Sequence, residues 1–311
     1  MAEGAAKSDD YTKEMKAKMG SSLIYTHEAG INYSQPLHRI ILGSCLQTAA
    51  DVDTLKKEGV GIIFCLQEDK DLAHFNIDIA SIQQRAAEVG ISHVRSPIRD
   101  FDPLSLRRHL PAAVTCLAAE MAARPDQLVY IHCTAGLGRA PGTALAYLFW
   151  VQGLCLDKAY QDLFKLRRCH PQIGMIRAAT CDLLADSEAA LVPTRIAMTR
   201  PGATKVEIAG LDVGWHNRAA LEKDPASDEF ATVRPLLPGT YQYKFIVDEE
   251  WMPCMELPTV DDNGNVNNVA TVTPLPGSPD AERYARIMAE GGKPTEEEWR
   301  QLKAKLLPQG A

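Results

Sequence analysis

The stretch His-Cys-Thr-Ala-Gly-Leu-Gly-Arg, residues 132–139, follows an apolar run at 127–131 and precedes an apolar segment at 140–152 that is compatible with a helix. This pattern predicts a strand, a tight loop and a helix, in that order. Five residues separate Cys133 from Arg139, and two of them are glycines, which let the backbone turn so tightly that successive N–H groups face one anion. The stretch therefore predicts a phosphate-binding loop with a cysteine nucleophile at the start of a helix.

The residue types in this loop suit nucleophilic attack on phosphorus. Cys133 has to react as a thiolate, and the loop dipoles, the positive helix terminus and Arg139 all stabilise negative charge there. The planar guanidinium of Arg139 can bind two phosphoryl oxygens at once. His132 is expected to orient the loop by hydrogen bonding, and a role as general base is the alternative. The predicted phosphate-binding residues are Thr134, Ala135, Gly136, Leu137, Gly138 and Arg139.

A poor leaving group needs a proton donor on a neighbouring loop. Asp100 is the candidate, because it follows a predicted strand at 92–96 and the carboxyl ends of parallel strands meet at the rim that carries Cys133. Asp102 stands just before Pro103 and is typical of a helix N-cap. Both aspartates could instead be caps or solvated side chains.

The bulk composition excludes several classes of protein. A chain of 311 residues with 46% hydrophobic and 23% charged residues is long enough for two domains and can bury a sizeable core. The formal net charge of −7 disfavours a sequence-independent grip on nucleic acid. No apolar window approaches a membrane span and no secretory signal is visible, so we expect a soluble protein with no membrane or nucleic-acid partner.

The eight cysteines show neither CxxC pairs nor zinc-ligand spacing, so reduced thiols in an intracellular compartment are expected. Cys65 closes a predicted strand and should approach the same rim as Cys133. It could form a reversible disulfide that protects Cys133 from irreversible oxidation. A small core residue is the alternative, and the sequence slightly favours it.

Short β-branched runs alternate with longer amphipathic stretches at residues 23–187, which predicts an α/β domain with a mostly parallel sheet. The strands are expected at 39–43, 61–66, 92–96 and 127–132. The helices are expected at about 50–58, 78–89, 103–123, 156–169 and 173–186. Pro111 could interrupt the third of these helices.

The remaining segments differ in composition from this domain. Residues 1–22 are polar and mixed in charge, which predicts a tail or a frayed helix. Short alternating runs separated by Pro, Gly, Asn and Asp predict an all-β sandwich at 190–275. Residues 276–311 carry two short helical patterns with few apolar residues, which favours docking on another surface.

The spacing within residues 132–139 resembles the signature of the cysteine-dependent phosphatases: a histidine, then a cysteine, then five residues and an arginine. With the segments GSCLQT, IFCLQED, IRDFD, HCTAGLGRAP and YLFWVQG, residues 22–186 resemble the dual-specificity phosphatase domain of starch-excess type glucan phosphatases of plants and algae. The resemblance supports Asp100 as the acid and implies that the C-terminal segment packs back on the catalytic domain. Many cysteine phosphatases have Ser or Thr after the arginine, whereas this chain and the resembled subfamily have alanine, here Ala140, so we expect activity with slower turnover.

The same resemblance implies an aromatic wall that guides a glucan chain to the nucleophile. Its members in this chain would be Tyr25, Phe75 and Phe101. Tyr25 and Phe75 could also be plain core residues. His74 stands where an aromatic side chain would have extended the wall.

The segments GLDVGW at 210–215, YQYKFIV at 241–247 and NGNVNN at 263–268, together with Trp251, resemble a glycogen-binding carbohydrate-binding module of family 48. A pyranose has an apolar face ringed by hydroxyls, so an indole beside amide and ammonium donors is a suitable partner. Trp215 and Trp251 would stack on sugars, and a core position is the alternative for Trp251. Lys244, Asn268 and also Asn267 would bind hydroxyls, although the two asparagines could be turn residues.

These features together predict a phosphoglucan phosphatase that acts on starch or amylopectin through a phosphocysteine, as a monomer and without metal or other cofactor. A protein phosphatase tethered to starch by its module and a non-catalytic glucan-binding scaffold are the alternatives. Location in the chloroplast or another plastid follows from the resemblance, since no transit peptide is visible; a source that stores starch in the cytosol would be the exception.

Overall fold

The structure is a computed structural model that describes residues 2–19, 22–185, 191–262 and 264–307. The chain forms two compact units, one made of Met1–Leu184 with Arg286–Ala311 and the other of Ala185–Ala285. The domain boundary expected at residues 187–190 lies outside the described residues.

A four-stranded parallel sheet forms the middle of the first unit. Its strands are β1 (Ile40–Gly43), β2 (Val60–Cys65), β3 (Ser92–Arg95) and β4 (Leu128–His132), in the order β1-β4-β2-β3. The parallel register pairs both Gly43 and Cys65 with His132. The carboxyl ends of β1, β2 and β4 therefore meet at one rim, directly before Cys133. The mostly parallel α/β fold predicted from the sequence is confirmed.

Helices connect these strands and cover the sheet. They are α2 (Ala49–Lys57), α3 (Asp69–His74), α4 (Ile79–Glu88), α5 (Pro103–Ala123), α6 (Arg139–Trp150), α7 (Leu156–Leu166) and α8 (Ile173–Leu184). All 12 residues of α6 are buried, which explains why its sequence is apolar on every face. Pro111 lies inside α5, which continues past it, so the expected interruption does not occur. In the described parts of the chain, no helix is both long and apolar enough to cross a membrane.

The N-terminal segment is a helix, α1 (Ala2–Met19), that packs on the first unit and is not the polar tail or frayed helix expected from the sequence. Tyr11 and Met15 are 8% and 4% exposed and belong to the hydrophobic core. Ser8, Tyr11 and Met15 follow each other at helical spacing, so they share one face of α1. Few large apolar side chains mark this face, and the periodic signal is therefore weak in the sequence.

The C-terminal segment contains α9 (Pro279–Met288) and α10 (Glu296–Leu306). Helix α10 lies against α5, α6 and α8 of the first unit. Leu302 and Leu306 are 0% and 2% exposed, and the Trp299 indole donates a hydrogen bond to the Phe149 carbonyl at 3.1 Å. The apolar face of α10 is therefore buried against these three helices.

The second unit consists of antiparallel strands in two sheets. They are β5 (Val192–Thr199), β6 (Val206–Gly210), β7 (Gly214–Ala220), β8 (Glu222–Lys223), β9 (Glu229–Leu236), β10 (Gly239–Val247), β11 (Glu250–Met252), β12 (Thr259–Asp262) and β13 (Asn265–Val272). One sheet has the order β12-β13-β10-β6-β7 with β11 beside β10, and the other has the order β5-β9-β8. Tyr241, Tyr243 and Phe245 are all buried, as the two-residue period of a strand predicts. The all-β domain is confirmed.

Replacing Leu302 by alanine is expected to lower the free energy of unfolding by about 2 to 5 kcal/mol, because the side chain is fully buried and leaves a cavity. Lys303→Ala, at the exposed neighbouring position, should change it by less than about 0.5 kcal/mol. Urea unfolding followed by far-UV circular dichroism measures both. Equal unfolding midpoints for the two variants would show that α10 does not contribute to the stability of the first unit.

Candidate active site

The loop that joins β4 to α6 has its carbonyl oxygens bound from outside. The Thr134 carbonyl accepts from the Cys45 amide at 2.9 Å, and the Leu137 carbonyl accepts from the His170 amide at 2.7 Å. Between them, the Ala135 and Gly136 carbonyls both accept from the Arg167 guanidinium, each at 2.9 Å. A peptide N–H points away from the carbonyl of the same peptide unit, so these bonds leave the N–H groups of the loop facing inward.

Gly136 is required in this loop for two reasons. Its φ of +68° lies in the left-handed region, which residues with a side chain rarely adopt. A Cβ atom at this position would also lie 2.2 Å from the Gly43 carbonyl oxygen. The loop therefore folds tightly over the end of β1, and Cys133, which begins it, is 2% exposed.

Arg139 is the first residue of α6, and its guanidinium is buried between two carboxylates. Nη1 donates to Asp71 Oδ2 at 2.6 Å and to the Ile98 carbonyl at 2.8 Å. Nη2 donates to Asp100 Oδ2 at 2.6 Å and to Thr134 Oγ1 at 3.1 Å. The charge of a buried arginine has to be paired, and these partners hold the fork beside the loop, where it can meet a phosphoryl group.

Asp100 reaches this site from the segment after β3. Its side chain is 14% exposed, and burial raises the pKa of the Asp100 carboxyl above its usual value while Arg139 opposes the shift. A raised pKa keeps the carboxyl protonated at higher pH, which suits a general acid. Asp102 instead caps α5, because its Oδ1 accepts from the Ser105 amide at 2.9 Å.

His132 directly precedes Cys133 and is buried. Its Nδ1 donates to the Cys133 carbonyl at 3.2 Å. Burial, with a contribution from nearby His93, lowers the pKa of His132 to about 3. A neutral imidazole of such low basicity suits the orientation of the loop better than proton abstraction.

The residues of the expected aromatic wall lie together beneath α1. Tyr25 and Phe75 are 2% and 8% exposed, and both contact the Tyr11 ring, as does Phe101. The imidazole of His27 stacks on Phe75 with a centroid distance of 4.2 Å. Tyr25 and Phe75 therefore belong to the core in this arrangement, which was the alternative interpretation of the sequence.

Cys65 ends β2 directly beside His132, at the rim that carries the nucleophile. Its thiol is fully buried, and burial raises the pKa of Cys65 to about 11. Cys45 lies nearby, and burial raises its pKa to about 12. All three cysteines are free thiols in the structure, so the predicted disulfide between Cys65 and Cys133 stays a hypothesis about oxidising conditions.

In the second unit, the expected glucan-binding side chains fall on one sheet. Trp215 and Trp251 are 44% and 47% exposed, which is unusual for indoles outside a binding surface. Tyr243 pairs with Asn268 across β10 and β13, so the next positions, Lys244 and Asn267, lie together on the opposite face. Trp251 pairs with Ile246 and shares that face.

Asn268 requires a correction, because its side chain faces the core and is not on the exposed face of the sheet. The side chain is 0% exposed, its Oδ1 accepts from the Cys254 amide at 2.9 Å, and its Nδ2 donates to the Cys254 carbonyl at 2.7 Å. Asn268 therefore anchors the segment after β11. Asn267 is on the face of Lys244, although its Nδ2 donates to Gln242 Oε1 at 2.8 Å and it is only 6% exposed.

Three further side chains at the site were not found from the sequence. Asp71 pairs with Arg139 from α3, a helix of 6 residues that was not predicted. Arg167 holds the loop from the end of α7, and Tyr11 reaches Asp100 from α1. Each is distant from residues 132–139 along the chain, and no local motif marks it.

A thiol surrounded by inward N–H groups, a buried arginine and a carboxyl of raised pKa define a cysteine-dependent phosphatase. Residues 31–189 match the family model described as "Swiss Army Knife protein, DSP-PTPase phosphatase domain". Residues 192–276 match the model described as "Glycogen recognition site of AMP-activated protein kinase". The two matches correspond to the parallel and antiparallel parts of the fold.

Among curated proteins, the chain is 43% identical to the amyloplastic phosphoglucan phosphatase DSP4 of Castanea sativa over 269 residues, which are 86% of this chain and 71% of the relative. It is 30% identical to the chloroplastic phosphoglucan phosphatase LSF1 of Arabidopsis thaliana over 271 residues, 85% of this chain and 45% of that longer protein. The chain belongs to the phosphoglucan phosphatase family.

Arg167→Met is expected to lower kcat/KM for every phosphate monoester by about 10-fold to 100-fold, because two loop carbonyls lose a charged donor and the loop is free to rearrange. The matched control is Arg168→Met, since Arg168 lies next to it but stands over the Phe164 ring and is exposed. Steady-state phosphate release measures both variants. An unchanged kcat/KM in Arg167→Met would show that the loop keeps its shape without this arginine.

Oxidation is expected to block alkylation of Cys133, and a dithiol reductant should restore it in the wild type but not in Cys65→Ser. The physical reason is that Cys65 can condense with an oxidised Cys133 before irreversible oxidation occurs. Labelling with iodoacetamide and mass spectrometry of the Cys133 peptide measure this difference. Identical recovery of Cys133 labelling in wild type and Cys65→Ser would show that Cys65 does not protect Cys133 from oxidation.

Proposed function

We propose that the protein hydrolyses phosphate monoesters on glucosyl units of starch or amylopectin and acts in starch degradation. The proposal rests on one observation above all: a phosphatase site and a sheet with two exposed indoles, Trp215 and Trp251, occur in the same chain. The family supports this substrate, because both relatives described above are named phosphoglucan phosphatases.

The reaction begins with attack of the Cys133 thiolate on phosphorus. An S–P bond forms and the ester P–O bond breaks while Asp100 gives its proton to the departing sugar oxygen. The inward N–H groups of the loop and the Arg139 guanidinium hold the phosphoryl oxygens and stabilise their charge. The products of this step are the dephosphorylated glucosyl unit and a phosphocysteine.

The second step regenerates the enzyme. Asp100, now ionised, takes a proton from water, whose oxygen bonds to phosphorus as the S–P bond breaks. Inorganic phosphate and the Cys133 thiolate result. The residue after Arg139 is Ala140, which is fully buried and brings no hydroxyl to assist this step.

The carbohydrate-binding face presents the polymer. Trp215 and Trp251 would stack on pyranose rings. Lys244 and Asn267 share the strand face of Trp251, where they would bind the hydroxyls of the sugar. Asn268 supports this surface from beneath. Such stacking binds unphosphorylated glucan equally well, so the module raises the local concentration of substrate and the loop selects the phosphate.

A protein phosphatase tethered to starch remains the competing enzyme function, because the same loop chemistry acts on phosphotyrosine. The glycogen-recognition module and the names of both relatives favour the sugar ester over a phosphoprotein. The presence of Cys133, Arg139 and Asp100 together speaks against a non-catalytic scaffold, because glucan binding does not require these three residues.

The related phosphoglucan phosphatases carry amyloplastic and chloroplastic in their names, which supports a plastid location for this protein as well. A location in the cytosol would follow if its source stores starch there. A monomer that binds one glucan chain is sufficient for the chemistry, and size-exclusion chromatography with light scattering tests that state.

The wild-type protein is expected to release phosphate from solubilised amylopectin. The control variant Val233→Ala, which changes an exposed apolar residue on the other sheet, should do the same. Trp215→Ala should lower kcat/KM for amylopectin about tenfold, the equivalent of ~1.4 kcal/mol of lost binding, and leave a phosphotyrosine peptide unaffected. Cys133→Ser should abolish both activities, because it removes the nucleophile.

The assay follows inorganic phosphate from both substrates with all four proteins. Turnover of the peptide with none of amylopectin would favour the tethered protein phosphatase. Amylopectin turnover that is equal in Trp215→Ala and wild type would show that this tryptophan does not present the substrate.

A further inference from the structure

Helix α1 brings a hydroxyl to the general acid. Tyr11 Oη donates to Asp100 Oδ2 at 2.7 Å, and the other carboxyl oxygen, Oδ1, accepts from the Phe101 amide at 3.0 Å. Burial, followed by the charge of Asp100, raises the pKa of Tyr11 well above its ordinary value. The phenol therefore keeps its proton and can act as a donor throughout the pH range of the reaction.

The Tyr11 ring is fixed in one position. Its centroid lies 5.5 Å from Tyr25, 6.0 Å from Phe75 and 5.1 Å from Phe101, and the side chain is 8% exposed. A ring held on three sides has already lost its rotamer freedom, so its hydroxyl constrains Asp100 at little further entropic cost.

Polar contacts attach α1 to the segment that precedes β1. Ser8 Oγ donates to Glu28 Oε2 at 2.9 Å and accepts from the His27 amide at 2.9 Å. Thr12 Oγ1 accepts from the Tyr25 amide at 3.2 Å. These contacts lie on both sides of Tyr11 in sequence, so the helix cannot slide without breaking several of them.

Asp100 needs a support of this kind for a conformational reason. The next residue, Phe101, has a φ of +54°, a left-handed conformation that costs on the order of 1–3 kcal/mol for a residue with a side chain. A strained segment of this kind keeps its shape only when its surroundings hold it. Tyr11 holds it at both residues, through the Asp100 carboxyl and the Phe101 ring.

Arg139, the other side chain that donates to Asp100, also has to bind the phosphoryl group during the reaction. Arg139 Nη2 donates to the same Oδ2 atom at 2.6 Å. When a phosphoryl group enters the loop, the Arg139 fork binds its oxygens. Tyr11 does not belong to the phosphate-binding loop and can keep its hydrogen bond to Asp100 at that stage.

We propose that Tyr11 is a positioning residue that holds the Asp100 carboxyl at the leaving oxygen while Arg139 binds the phosphoryl group. With Met15, it also forms the α1 side of a cavity over the loop, whose other lining residues are Asp100, Phe101, Leu137, Gly138 and His170. The inference rests on the phosphocysteine reaction proposed above, with Asp100 as acid, but does not depend on glucan as the substrate.

Tyr11→Phe tests this role, because it removes the hydroxyl and keeps the ring. The matched control is Tyr33→Phe, in which an exposed hydroxyl loses its bond to Glu58. Asp100→Asn supplies the reference for complete loss of the acid. Two small substrates are compared: para-nitrophenyl phosphate, whose leaving group departs with little proton donation, and benzyl phosphate, whose alkoxide requires it.

Tyr11→Phe is expected to lower kcat/KM for benzyl phosphate about tenfold and kcat/KM for para-nitrophenyl phosphate less than about twofold, the same direction as Asp100→Asn but smaller. The parameter kcat/KM reports the step that breaks the P–O bond and does not include hydrolysis of the phosphocysteine, which is the same for both substrates. Tyr33→Phe should match wild type on both substrates. The ratio of the two kcat/KM values within one variant does not depend on the fraction of folded protein, so partial misfolding cannot imitate the result.

Two outcomes would overturn the proposal. An equal loss on both substrates would mean that the Tyr11 hydroxyl has a purely structural role, and a gain on either would mean that α1 covers the site and obstructs it. If Asp100→Asn itself shows no dependence on the leaving group, then the acid role in the proposed function fails. Release of phosphate from amylopectin is measured separately and decides the substrate.

Discussion

The site depends on hydrogen bonds that bind the outer side of the phosphate loop. Four successive carbonyls, from Thr134 to Leu137, have donors outside the loop: two backbone amides and the Arg167 guanidinium. Since the N–H of a trans peptide points away from its carbonyl, outward carbonyls leave the N–H groups of the loop facing inward. An anion site of this kind consists of oriented backbone, so it exists before substrate arrives and costs little reorganisation during the reaction.

Electrostatic pairing forms the second constraint. Arg139 is buried, and a buried guanidinium is tolerated because Asp71 and Asp100 are within 2.6 Å of it. The same contacts bring the segments after β2 and β3 to the end of β4. A protein with a net charge of −7 thereby forms a local site for a phosphate, and one of the two carboxylates serves as the acid of the proposed reaction.

Much of the fold and half of the site could be predicted because their signals are local. The strand, loop and helix around residues 132–139 differ in periodicity, and the strands of the β domain alternate with a period of two. Contacts with Asp71, Arg167 and Tyr11 could not be predicted, because each joins residues far apart in the chain. Asn268 was assigned wrongly because neighbouring strand residues point to opposite faces, and which one faces the core depends on the pairing with Tyr243.

The sequence by itself predicted the phosphate-binding loop with its cysteine and arginine and the order of the two domains, since residue type and spacing along the chain are sufficient for these, and it offered Asp100 as the candidate acid. Tertiary structure decided what surrounds them: that the N-terminal segment is a helix on the active site, that Arg167 holds the loop, and that Asn267 and not Asn268 shares the face of Lys244. Packing and strand register depend on contacts between distant parts of the chain, so they cannot be predicted from the local pattern of residues along the sequence.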